Sequence, residues 1–231
     1  MQMKKCLLYA PILIGVFSVI LLSSCGAKTS NSTISDSTVD STEAVVEEEE
    51  PKVVYGIDLG LSVNWAECNV GANSPEEVGY CVPLGNTTGT VKAPKAKRQS
   101  VSGTDADIAV VKMGDGWRMP TGPEMQELLD KCSWEVETVN GRNGFRVTGP
   151  SGKSIFLPNT GSNYTTEELS KMNFVHNTNT NINYEGNYWC GTPAEDGIGC
   201  NELALRTDKG SARLMWCELY FCNAVRAVHE K

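Results

Sequence analysis

Residues 53–231 predict an α+β domain of short mixed or antiparallel strands with about two helices and long loops. Three observations carry that expectation. Short apolar stretches rich in Val, Ile, Trp and Phe recur between Gly, Asn and Pro turn signals. One segment carries a helix-start signature followed by a helical period. No stretch sustains a long helical repeat, so the helices are few and modest, and many short strands with few helices make an α+β core. The segment is long enough for one sizeable core.

The elements follow in order. Residues 53–59 and 63–68 read as two short strands, and residues 86–104 as an exposed loop bearing Lys92, Lys95, Lys97 and Arg98. After Pro120, Thr121-Gly122-Pro123-Glu124 forms a T-x-x-E capping box, and Met125, Leu128, Leu129 and Cys132 recur at helical spacing to define one buried face. Residues 134–139 and 145–148 flank Asn140-Gly141, a hairpin signal. Residues 155–157 make another short strand. Residues 159–187 hold eight asparagines and read as a long polar loop around a short helix at 166–171. Late strands are expected at 202–207, 212–216 and 222–228, with Lys209-Gly210 turning between the first two.

The first 52 residues have a different character. Lys4-Lys5, an apolar run from Cys6 to Leu22, and Leu22-Ser23-Ser24-Cys25 resemble a bacterial lipoprotein signal peptide with its lipobox. The run is short for a spanning helix and contains Pro11 and Gly15. The resemblance implies cleavage after Ser24 and a lipid on Cys25, hence an outer-membrane lipoprotein of the cell envelope held by its N-terminal lipid. Whether it faces the periplasm or the cell surface stays open. Residues 26–52 then form a linker: nine of the 17 residues from Gly26 to Thr42 are Ser or Thr, Glu47–Glu50 are all acidic, and no residue is aromatic. Such a segment buries too little apolar surface to fold. Asp36-Ser37-Thr38 and Asp40-Ser41-Thr42 resemble a short O-glycosylation acceptor.

Composition narrows the partners. Removing Lys4 and Lys5 from a chain of formal charge −8 leaves −10, which opposes nucleic acid and anionic lipid. Seven cysteines remain after the lipobox, and an oxidising compartment favours their pairing. An odd count leaves at least one outside any bridge within the chain. There is no C-x-x-C and only two histidines, His176 and His229, so no metal site is expected.

Several motifs carry a family likeness. Ile57-Asp58-Leu59-Gly60-Leu61-Ser62-Val63-Asn64-Trp65-Ala66 with Cys68-Asn69-Val70-Gly71-Ala72 resembles the opening of the Fibrobacter succinogenes major paralogous domain. Gly116-Trp117-Arg118-Met119-Pro120-Thr121 resembles its central motif. Phe145–Pro150 and Ser154–Pro158 resemble its next stretch, and Tyr188-Trp189 and Ala224–Val228 its closing strands. The likeness spans about residues 53–231. It implies a C-type-lectin-like fold related to formylglycine-generating enzymes, and a secreted or lipid-anchored location, rather than a reaction. It also implies a Cys68–Cys132 disulfide. Cys81-Val82-Pro83-Leu84-Gly85-Asn86 and Ala227 depart from the family pattern, and Cys190, Cys200 and Cys217 look like additions.

Candidate sites follow from these loops and cysteines. Cys190 and Cys200 bracket a Gly/Pro-rich loop that a disulfide would pin. Cys217 and Cys222, with Arg226 following, are similar to the paired cysteines of formylglycine-generating enzymes, where soft thiolates hold copper. An ordinary disulfide is the rival reading. G-x-S-x-G, H-E-x-x-H and the P-loop are absent, so no catalytic residue is assigned. Leu157-Pro158-Asn159-Thr160-Gly161 fits L-P-x-T-G but lacks the following apolar tail of a sorting signal. Trp65, Trp117 and Trp134 are expected in the core, and Tyr188 and Trp189 on the surface beside the loops. Asn181, Tyr184, Asp196, Asn201 and Glu202 would supply groups for sugar hydroxyls. They could also serve calcium, but the Glu-Pro-Asn and Trp-Asn-Asp signatures of calcium-dependent lectins are missing, so no cofactor is expected. The function expected is a lipid-anchored binding module that recognises a glycan or a protein surface through the loops at 159–187 and 191–201. The alternatives are a structural or adhesive part of a cell-surface assembly, and a copper-thiol oxidase.

Overall fold

Short strands are what so many turn residues allow. The computed structural model describes residues 56–91, 100–114, 116–164, 181–193, 200–219 and 221–231, all within the unit Glu50–Lys231. The lipobox, the linker and the expected helix at 166–171 lie outside the described residues. The fold is α+β: two helices among the described residues, and three antiparallel sheets.

The first sheet runs β1–β2–β10–β3, from Gly56–Ile57, Asn64–Ala66, Val228–His229 and Trp117–Arg118. It joins the N-terminal motif to the C-terminus, with Val228 opposite Trp65 on one side and Arg118 on the other. The second sheet is a meander of β4 (Ser133–Val139), β5 (Arg142–Thr148) and β6 (Ser154–Pro158). Asn140 and Gly141 both take positive φ between β4 and β5, as a tight hairpin turn requires. The third sheet is a meander of β7 (Glu185–Pro193), β8 (Cys200–Arg206) and β9 (Ser211–Cys217).

Helix α2 (Gly122–Lys131) forms where its capping box stands. Glu124 accepts from the Thr121 backbone N–H at 2.7 Å and from both Nη atoms of Arg118, at 2.8 and 2.6 Å. Arg118 also reaches Glu230, so one guanidinium ties the central motif to the helix start and the C-terminus. Helix α1 (Ile108–Met113) was not foreseen. Its N-cap is Asp107, a buried carboxylate accepting from the N–H groups of Ala109, Gly103 and Met119.

Two apolar clusters fill the interior. One gathers Leu59, Trp65, Met125, Leu128, Phe145, Leu157, Tyr188 and Leu203. The other gathers Val82, Ile108, Trp117, Met119, Trp189, Cys200 and Cys217. Sheet β7–β8–β9 separates them: Tyr188 and Leu203 face the first, and Trp189, Cys200 and Cys217 the second. Trp65 and Trp117 are buried and Trp134 packs against the first cluster, as expected.

Two further elements differ from expectation. Strand β7 begins at Glu185, inside the segment read as polar loop. The sheet supplies the reason: Asn187 is buried, its N–H donating to Thr160 Oγ1 at 2.8 Å, so a polar residue there serves the interior. The expected strand at 222–228 forms a ladder only at Val228. Residues 222–227 instead thread the core and bond to successive neighbours: Asn163 with Cys222, Val82 with Asn223, Asn187 and Trp189 with Ala224, Val70 with Val225, and Ala66 with Ala227.

Candidate binding surface

The expected surface does not assemble as one site. Tyr188 and Trp189 are both 0% exposed. Tyr188 donates its hydroxyl to Pro158 O at 2.6 Å, and Trp189 its Nε1 to Val82 O at 2.6 Å. Neither meets solvent, because adjacent strand residues point to opposite faces and both faces of this sheet are covered. Asn181 and Tyr184 lie before β7, where Tyr184 donates to Asn181, Asn181 to Glu185, and the Arg206 guanidinium sits 5.2 Å from the Tyr184 ring. Asn201 and Glu202 lie at the opposite end of β8, about 20 Å away along the strand. Asp196 lies outside the described residues, as do residues 165–180 and 194–199, most of the loop surface expected to bind.

Glu202 is not a surface ligand group either. It is buried, accepts from Asn223 Nδ2 at 2.7 Å, and burial pushes its carboxyl pKa up. The neighbouring Cys217 thiol is pushed far up by burial and by Glu202. Cys132, Cys190, Cys200 and Cys217 stand as thiols. Cys190 contacts Thr192 Oγ1 at 3.1 Å. Among the described residues no group of three His, Cys, Asp or Glu side chains is placed to hold a metal.

The sequence reading missed a groove between α2 and β9, with a volume of about 590 Å³. Helix α2 turns Met125 and Leu128 into the core, which leaves Gln126, Leu129 and Asp130 on the flank toward β9. Gln126 Nε2 donates to Asp130 Oδ1 at 2.7 Å, an i,i+4 pair that fixes both side chains. Trp134, at the start of β4, forms another wall and packs edge-on against Phe145, with centroids 5.7 Å apart. Ala212, Arg213 and Leu214 of β9 close the opposite side. An indole, an amide and a carboxylate thus line one recess with apolar walls, while the Arg213 side chain leaves β9 on the other face and its Nε donates to Met215 Sδ at 3.2 Å. Trp216 stands 42% exposed on the same strand. The signal was partly present in the sequence: Gln126 and Asp130 fall off the helix's apolar face. Their partner strand was not readable.

Two further groups shape this flank. Glu127 accepts from Ser62 N–H at 3.0 Å, from the Ser62 hydroxyl, and from Lys131 at 2.8 Å. Burial opposes its ionisation, but the bonds from Lys131 and Ser62 outweigh it and hold its pKa at about 2. The Leu-Pro-Asn-Thr-Gly stretch is buried.

No family model, curated protein or solved structure matches the chain.

Proposed function

We propose that the chain is a lipid-anchored, extracytoplasmic binding module of the Fibrobacter succinogenes major paralogous type, with a C-type-lectin-like domain that holds a carbohydrate in the α2–β9 groove. The observation that carries this reading is the groove's lining. Sugars present apolar C–H faces and dense hydroxyls, and Trp134 and Leu214 meet the first while Gln126 and Asp130 meet the second. Its volume falls in the range of small-molecule sites. Asp130 is the one carboxylate among the lining residues, so recognition proceeds through hydrogen bonds and stacking without calcium. The linker at 26–52 would carry the domain away from the lipid on Cys25.

A glycan array probed with the full chain in detergent, with calcium and with chelator, tests the proposal. Binding is expected in both conditions. Gln126→Ala and Asp130→Ala should each weaken it about fivefold, since each removes one hydrogen-bonding group of about 1 kcal/mol. Binding indifferent to both variants, or no binding, would contradict the proposal.

A further inference from the structure

Cys200 and Cys217 are direct Cα partners across β8 and β9, in the register that also opposes Asn201 to Trp216 and Glu202 to Met215. Directly opposed residues of an antiparallel pair have Cα atoms about 4.5–5.5 Å apart, within the span that a disulfide bridges. Opposed side chains also leave the sheet on the same face. Both thiols accordingly lie buried in the same apolar cluster, beside Trp189. Cys190, the partner that the loop spacing suggested for Cys200, lies in the other cluster and contacts Thr192 instead. We propose that Cys200 and Cys217 close an inter-strand disulfide when the protein folds with an oxidant present, and that Cys190 stays reduced.

The step balances by thiol–disulfide exchange. One cysteine loses a proton and its thiolate attacks a disulfide-type oxidant, such as oxidised glutathione, expelling one thiolate. The second cysteine then loses its proton and attacks the mixed disulfide, forming the Cys200–Cys217 bond and expelling the other. Two electrons pass to the oxidant, whose S–S bond becomes two thiols. Burial raises the Cys200 thiol to about 11 and the Cys217 thiol further, so the folded dithiol supplies little of the attacking thiolate. The bond therefore forms while the β8–β9 hairpin exists but its inner face is still uncovered. Once that face is packed, the same burial shields the bond from reductants. The bridge locks the hairpin at the end opposite its turn at residues 207–210, and Glu202 keeps its bond from Asn223. It also removes Cys217 from any copper pair with Cys222.

The full chain would be refolded in a buffer of oxidised and reduced glutathione, denatured, alkylated and digested with trypsin, and its peptides sequenced by mass spectrometry. Trypsin leaves Cys190 and Cys200 together on peptide 172–206, and Cys217 and Cys222 together on peptide 214–226. The fragmentation is therefore repeated on Cys190→Ser, Cys222→Ser and the double variant. The expected result is a cross-link between the two peptides, retained in all three variants and absent in Cys200→Ser, with Cys190 alkylated. A Cys190–Cys200 or Cys217–Cys222 link, or four alkylated cysteines, would overturn the proposal. If Cys200→Ser fails to fold, the double variant still decides, because it keeps only the proposed pair among the four.

Discussion

Arg226 joins three parts of the chain with one guanidinium. It is 0% exposed, and its Nε donates to Asn69 Oδ1 at 2.8 Å, its Nη1 to the carbonyls of Ala66 and Glu67, and its Nη2 to Phe156 O at 2.9 Å. None of these acceptors is a carboxylate, so the charge is offset by dipoles, and burial lowers its pKa. A buried cation keeps its place only when its hydrogen bonds are complete. Arg226→Lys preserves charge but lacks the planar fork. It should lose about 3 kcal/mol in urea unfolding; a loss below about 0.5 kcal/mol would show that the fork is dispensable. Glu127 gives a pH signature. Its folded pKa, about 2, lies below its ordinary 4.5, so its stabilising contribution is present above pH 4.5 and is lost as pH falls toward 2. Thermal melts of Glu127→Gln should show a smaller drop in Tm across that window than the wild type. At this scale the sequence was readable where burial follows type, as for Trp65. It misled at Tyr188 and Trp189, since polar neighbours on either side concealed a strand covered on both faces.

The elements themselves were largely legible. The capping box marked α2, and Asn-Gly marked the β4–β5 turn, because these signals act locally. Helix α1 escaped because it is six residues long and depends on Asp107, whose carboxylate gathers N–H groups from separate segments. Strand β7 escaped because Gly186 and Asn187 dilute its apolar pattern. Close approach explains Gly149, which follows β5: a Cβ there would sit 2.1 Å from Leu59 O. Gly149→Ala should therefore shift the backbone and cost about 1–3 kcal/mol, read by denaturant unfolding. Thr121→Ala removes the cap of α2 and should cost about 1 kcal/mol by the same assay. A neutral Thr121→Ala would mean that Arg118 and Glu124 hold the helix start unaided.

For the molecule as a whole, the arrangement of sheets was beyond sequence reasoning. Residues 222–227 bond to four different segments, and nothing in their composition names those partners. The same limit hid the groove, which exists only because α2 and β9 meet, although they are far apart in the chain. Carbohydrate bound between Trp134 and Leu214 is tested most directly by NMR. The chain has five tryptophans, each with its own indole N–H resonance, and a panel of neutral and N-acetylated oligosaccharides would be titrated against labelled protein. Saturable movement of the Trp134 resonance, with those of buried Trp65 and Trp189 unmoved, is the expected result. A binding saccharide that leaves Trp134 unmoved, or a panel that moves none of the five, would contradict it.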